Sequence, residues 1–390
     1  MKKLCLATCV LLVFCLVCTG CSGANGVKEI NADASLSYTN PADFSQYPDH
    51  VRKQCSENLF YDMDIVVPTP QQFNTYLATM KIPDEQLYIK TFFSNYQESD
   101  IVERDIGQVN PKIEESSYTA EKNGEITDLY VSREEVIYAA SNLDGYGGTY
   151  AYHSLATGLD YPPLYTKCSD QDKDLPSISQ QDALDQVNEM IQILGLNVDE
   201  NPEIYPFTKS QMQEVASFPF HMNGVQEGYF ILYRCSVDGV PMFTDFHQAP
   251  HSDAYYQSHG SCVSAIVTKS GIRAFNTESF YDTQLVEEDV PIVALETVLE
   301  DAATRLQGKY KGKDCLINRA ELCYLPLAEE EYDKEVPLKP AWVIDGCSTN
   351  ATASLDNLDK FSNGEHMRYY YDATTGEIIV TGDIAMDALG

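Results

Sequence analysis

Three of the seven histidines in this chain, His247, His251 and His259, fall within thirteen residues. Asp245, Asp253 and Cys262 stand beside them. Imidazole, carboxylate and thiolate groups are ligands for zinc-like metals, so this segment is the first candidate for metal chemistry. The spacing weighs against it. Pro250 lies between His247 and His251 and disfavours a helical turn with both rings on one face; no H-E-x-x-H occurs. The segment reads as a polar, exposed loop between strands. As a loop it offers Tyr255 and Tyr256 as anchors for a protein partner, because Tyr buries area at little entropic cost.

Other constellations are weaker. Asp170, Asp172 and Asp174 give the D-x-D-x-D of a calcium loop, but Leu175 stands where an EF-hand needs Gly, and Gln181 where it needs the bidentate Glu. Gly145-Tyr146-Gly147-Gly148 lacks the Lys-Ser/Thr of a phosphate loop, and there is no G-x-S-x-G elbow. With 59 acidic residues, no pair of carboxylates can be singled out for glycoside chemistry. The sequence therefore assigns no catalytic residue and implies no cofactor. Trp342, the single Trp, precedes Val343 and Ile344, which reads as a packed strand position rather than a ligand platform.

The positioning elements begin with the N-terminus. Lys2 and Lys3 precede an apolar run from Leu4 to Cys18, then Thr19-Gly20-Cys21. A charged start, a short apolar stretch and a small residue before the cut make residues 1–20 a secretory signal; a membrane span would need about 20 apolar residues. The Gly20-Cys21 junction resembles a bacterial lipobox, with Cys18 where Leu is usual. That resemblance implies lipid on Cys21 and a place on the extracytoplasmic face of the cell membrane; plain secretion or an uncleaved anchor are the alternatives. Without Lys2 and Lys3 the chain has 59 acidic residues against 24 basic ones, a net of −35. Such a surface repels nucleic acid, which is excluded as a partner.

Four cysteines lie inside the signal itself, and seven follow Cys21: Cys55, Cys168, Cys235, Cys262, Cys315, Cys323 and Cys347. Seven is odd, and no C-x-x-C occurs after the signal, so buried free thiols are the default expectation. Cys315 and Cys347 are the candidate disulfide, because antiparallel pairing of their strands brings them to the same end.

Residues 21–50 are rich in Ser, Asn, Ala, Gly and Asp and read as a flexible tether. Residues 51–175 read as a β-rich N-terminal domain with one helix, which opens at Pro83-Asp84-Glu85. Asn123-Gly124 marks a two-residue hairpin. A helix follows Ser179, with Ala183, Val187, Ile191 and Leu194 on one face and Gly195 at its end; strands follow near 229–235, 263–268 and 272–275. The order recurs: a helix from Pro291 that stops at Gly308, then strands near 316–325, 341–344, 368–371 and 378–380. The fold class expected is α+β, with two consecutive units, 176–285 and 286–390, each a helix packed on a twisted antiparallel sheet.

Two segments carry a family likeness. One is "YFILYRCSVDGVPMF" at 229–243 with "SAIVTKSGIRAF" at 264–275. The other is "INRAELCYLPL" at 317–327 with "LKPAWVID" at 338–345 and "YYYDATTGEIIVTGD" at 369–383. They resemble PepSY-like and YycI-like modules of Gram-positive extracytoplasmic proteins, and the whole chain resembles clostridial lipoproteins. The resemblance implies regulation of a partner such as a sensor kinase or protease rather than catalysis. The function expected is a membrane-anchored lipoprotein that binds and regulates another protein. The alternatives are a lipoprotein that binds peptide, glycan or metal, and a metal-dependent enzyme using His247, His251 and His259.

Overall fold

The computed structural model describes residues 38–39, 44, 47–69, 72–104, 115–141, 174–208, 226–244, 246–248, 257–327, 335–361 and 364–384. The fold is α+β and dominated by strands. Its helices, among the described residues, are α1 (Glu85–Phe92), α2 (Gln180–Leu194) and α3 (Leu295–Lys309).

The strands of the first part are β1 (Tyr38–Thr39), β2 (His50–Ser56), β3 (Leu59–Val66), β4 (Thr75–Met80), β5 (Val102–Arg104), β6 (Ser116–Lys122), β7 (Glu125–Val131) and β8 (Glu135–Ser141). After α2 come β9 (Glu203–Phe207), β10 (Gly228–Arg234), β11 (Ser236–Val237), β12 (Val240–Pro241), β13 (Phe246–Gln248), β14 (Gln257–His259), β15 (Cys262–Thr268), β16 (Gly271–Glu278), β17 (Tyr281–Glu287) and β18 (Ile292–Val293). After α3 come β19 (Asp314–Pro326), β20 (Glu335–Thr349), β21 (Glu365–Asp372) and β22 (Ile378–Ile384).

Most of these strands make two large sheets; β1 with β18, β11 with β12 and β13 with β14 form separate pairs. The first has the order β5-β6-β7-β8-β16-β15-β10-β9, antiparallel throughout. The second runs β17-β4-β20-β19-β3-β2, and β21 and β22 continue from β20. The long strand β20 pairs with β4 through Glu335–Leu338 and with β21 through Ala341–Ser348, so both lie on the same side of it in succession. Only β3 with β19 is parallel in this sheet. The chain runs three times through a helix and then four antiparallel neighbours: α1 with β5–β8, α2 with β9, β10, β15 and β16, and α3 with β19–β22.

Local chemistry explains the elements. The Asp84 carboxylate accepts the Leu87 amide at 3.2 Å and starts α1. The Ser179 hydroxyl accepts the Asp182 amide at 3.1 Å and starts α2. Gly195, at φ 65, ends that helix in the left-handed region that costs a residue with a Cβ more. Asn123 and Gly124, at φ 55 and 78, form the left-handed two-residue turn that joins β6 to β7. The apolar face of α2 (Ala183, Val187, Ile191, Leu194) shares a buried cluster with Tyr229, Ile231, Val263, Ala265 and Phe275 of the first sheet. Val298, Leu299, Ala302 and Leu306 of α3 share another with Ile317, Leu322, Trp342, Ile344 and Tyr371 of the second. Trp342 is 0 % exposed and its indole donates to the Val293 carbonyl at 2.9 Å, a packed position as its neighbours foretell.

Several expectations are corrected. Residues 51–175 are not a separate domain: β2–β4 belong to the second sheet and α1 with β5–β8 to the first. Sheet partners, which periodicity does not encode, decide this. The division at 285/286 also moves, because β17 pairs with β4 in the second sheet. The tether is shorter than residues 21–50. Tyr38–Thr39 pair with Val293 and Ile292, and Phe44 and Tyr47 pack against Trp342 at ring distances of 6.4 and 6.3 Å. That pairing holds Ile292–Val293 extended, so α3 begins at Leu295 rather than Pro291. Gly308 stays within the helix, which runs to Lys309, and Gly312 at φ 79 supplies the left-handed residue after it. The signal (1–20) and Cys21 lie outside the described residues.

Candidate functional site

Most residues that the sequence marks for chemistry lie outside the described residues: Asp245, His251, Asp253, Tyr255 and Tyr256, together with the glycines at 145–148 and Asp170 and Asp172. His247 and His259 fall on β13 and β14. The ladder pairs His247 with Ser258 and His259 with Phe246, so these two residues are not opposite one another. Cys262 is buried at the start of β15, where its thiol donates to the Thr244 carbonyl at 3.3 Å. Asp174 caps the start of α2: its carboxylate accepts the Gln180 amide at 2.9 Å. Among the described residues no group of three or more His, Cys, Asp or Glu is placed to hold a metal ion.

The proposed disulfide is also corrected. Cys315 and Cys347 do fall at the same end of the β19–β20 ladder, but Cys315 pairs with Ser348 and Cys347 with Leu316. Being one step out of register, the two side chains go to opposite faces and different apolar clusters. Both are free thiols, as are Cys55, Cys235, Cys262 and Cys323. Burial pushes the Cys315 thiol up to about 11 and the Cys235 thiol up to about 12, so neither is a ready nucleophile.

The structure brings together ionic groups far apart in sequence. Across the second sheet, on the face opposite α3, the register places His50 beside Asp64, Asp64 beside Arg319, Arg319 beside Asp345, and Asp345 beside Arg368. Arg368 holds Asp345 with two hydrogen bonds of 2.6 and 3.1 Å and lies over the Phe243 ring at 5.1 Å. Next to this row is the joint between the sheets. Arg234, at the end of β10, donates from Nε to Glu203 of β9 at 2.8 Å and from Nη1 to Glu321 of β19. Arg319 donates from Nη2 to the other oxygen of Glu321 at 2.7 Å. Glu321 is 4 % exposed. Burial alone would raise its carboxyl; the Arg234 and Arg319 guanidiniums outweigh it and hold the group down at about 2. Charge is balanced within the cluster, which makes it a lock between sheets rather than an acid–base device.

The excursion between β10 and β15 reinforces that joint. Met242 bridges to Tyr324 of β19, and Phe243 enters the cluster of Cys323, Val343 and Tyr370. A second junction lies where the chain passes between sheets. The Lys81 amide donates to the Phe280 carbonyl at 2.7 Å, tying the two passages together. A cleft of about 170 Å³ opens there, with Lys81, Asp84, Leu87, Arg133, Leu196 and Phe280 in its wall.

Beside this neck runs β17, at the edge of the second sheet. It pairs with β4 on one side, and its exposure continues unbroken from Asp282 to Asp289. Leu285 and Val286 are 45 % and 67 % exposed, which leaves two apolar side chains in water on a strand that, among the described residues, ends its sheet. By contrast, every residue of β15 is buried, as are six of the seven residues of β10.

With this geometry the chain can be compared with known proteins. No family model matches it, and no curated protein matches it. Among solved structures, an uncharacterized protein of Eubacterium rectale is similar with a TM-score of 0.63 at 16 % identity, covering 86 % of this chain and 94 % of that one. The two share a fold. The C-terminal domain of Bacillus megaterium YpeB aligns with a TM-score of 0.29 at 10 % identity, over 77 % of this chain and 96 % of that domain.

Sequence reasoning missed both the charged joint and the open edge. Nothing in the sequence sets Arg234, Glu321, Arg319 and Glu203 apart from the chain's other charges. A signal for β17 was present in Tyr281–Glu287, where Tyr281, Thr283 and Val286 are β-formers, but no alternation marks a buried face.

Proposed function

We propose that this chain is a lipoprotein, anchored through Cys21 on the extracytoplasmic face of the membrane, that binds and regulates another protein, of sensor-kinase or protease type, and does not itself catalyse a reaction. The charged start, apolar run and Gly20-Cys21 junction support the anchor. The three helix-then-meander passages support a reading as PepSY-like units, two of which share the first sheet through β8 and β16.

The observation that carries the binding role is β17, a full-length edge strand with Leu285 and Val286 in water beside the neck between the sheets. A photo-crosslinking residue in place of Thr283, used in native membranes, tests it. An identified partner joined at this position, and release of the Cys21→Ser variant from the membrane, is the result expected. Retention of Cys21→Ser on the membrane, or the absence of any specific adduct at position 283, defeats the reading.

The cleft at the neck favours a second reading, a lipoprotein that binds a small ligand, because its wall mixes cationic, anionic and apolar side chains. Thermal-shift screening of peptides, glycans and metals tests this, since a ligand of the native state raises apparent stability.

A further inference from the structure

We infer that β17 takes an extended peptide segment of its partner as an added strand, and that this segment alternates basic with apolar residues. The inference rests on the binding role just proposed and names the chemistry of what is bound.

Three features of the edge support it. First, it offers backbone. β17 is seven residues long and regular from Tyr281 to Leu285; the ladder with β4 shifts only between Leu285 and Glu287. The first sheet's edges are guarded: β5 has three residues, and β9 carries Pro206, which cannot donate to a new ladder. Main-chain hydrogen bonds to an open edge provide affinity, and alternate side chains provide selection.

Second, the two faces of β17 differ. Period two puts Tyr281, Thr283 and Leu285 on one face and Asp282 and Gln284 on the other. An added strand would meet an apolar row on one side and a polar, acidic row on the other.

Third, the charge has one sign. The exposed run Asp282–Asp289 contains Asp282, Glu287, Glu288 and Asp289 and no base, in a chain of formal net charge −33. A second copy of this chain would bring a large like charge to the contact, whereas a basic segment is drawn to it. Lys81 already meets Asp282 at 2.7 Å, which shows that the edge accepts a cation, but the pair is exposed on both sides and exchanges readily with a partner's.

The test uses the full chain in detergent with a labelled Lys-Val-Lys-Val-Lys-Val peptide, its Glu-Val counterpart, and amide hydrogen exchange. The expected results are tighter binding of the basic peptide, weakening with added salt, and new protection confined to residues 281–287. Asp282→Lys together with Glu287→Lys, both at exposed positions, should weaken the basic peptide about tenfold, the worth of one or two surface ion pairs. Equal binding of the two peptides overturns the inference, as does protection elsewhere on the chain, or self-association through 281–287 without peptide binding. A Thr283 crosslink to an acidic or helical segment of an identified partner overturns it too, yet leaves the binding role standing.

Discussion

The hydroxyl of Tyr47 accepts the amide of Leu295 at 3.1 Å, across 248 positions of sequence. It also donates to Glu296 at 3.2 Å, in the first turn of α3. Ala294 provides no side-chain cap for that helix, so a residue from the N-terminal segment performs the task. Tyr47→Phe keeps the ring against Trp342 and removes the cap. It should cost about 1 kcal/mol of unfolding free energy in urea titration. Tyr47→Ala should cost about 3 kcal/mol, because the packing is lost as well.

The joint between the sheets gives a larger effect. Glu321→Gln leaves the half-buried Arg234 and Arg319 without their shared countercharge at a buried position and should cost about 3 kcal/mol. Asp282→Asn, at an exposed ion pair, should stay within about 0.5 kcal/mol. Equal losses in the two variants would show that Glu321 is not a locking residue.

Acid should weaken the fold in two separate windows. Burial holds the His366 imidazole below its ordinary value of 6.5, with Arg368 adding to the effect and Asp345 opposing it. The unfolded chain therefore takes this proton first, and stability is lost as pH falls below about 6.5, until the folded imidazole is protonated too. Glu321 shows the opposite shift. Its folded carboxyl stays at about 2 against an ordinary 4.5, so its contribution is complete above 4.5 and is lost as pH falls toward 2. In urea midpoints measured from pH 8 to pH 3, His366→Gln should flatten the upper decline and Glu321→Gln the lower one.

Thiol chemistry offers a further check. Of the described cysteines, Cys55 is exposed, while Cys235, Cys262, Cys315, Cys323 and Cys347 are buried. Brief alkylation of the native chain should label Cys55 ahead of these five, and alkylation in denaturant without reductant should label all six. A tryptic peptide joining Cys315 to Cys347 would contradict the register of β19 and β20.

The sequence revealed elements better than their companions. Asn123-Gly124, Ser179 and Gly195 each carry a backbone requirement in their own side chain or lack of one, so the β6–β7 turn and α2 appear where expected. The turn at Gly376, φ 73, follows the same logic. Nothing in Leu59–Val66 names Cys315–Glu321 as its neighbour, and the parallel pairing of β3 with β19 was hidden for that reason. Arg234 and Glu321 lie 87 residues apart, and only the fold turns two ordinary charges into a part-buried pair. Cys315 and Cys347 show the limit of strand-level reasoning: their shared end was legible, whereas a one-residue offset in register decided that they face apart.

The link between Lys81 and Phe280 has a mechanical consequence. The chain leaves the second sheet after β4 and returns at β17, and those two strands are zipped together right at the base of the detour. Tension applied between the N-terminal strands and anything pulling on β17 would pass through the β4–β17 seam and the second sheet. The first sheet would sit outside the load path, sheltered from the force until that seam gives way.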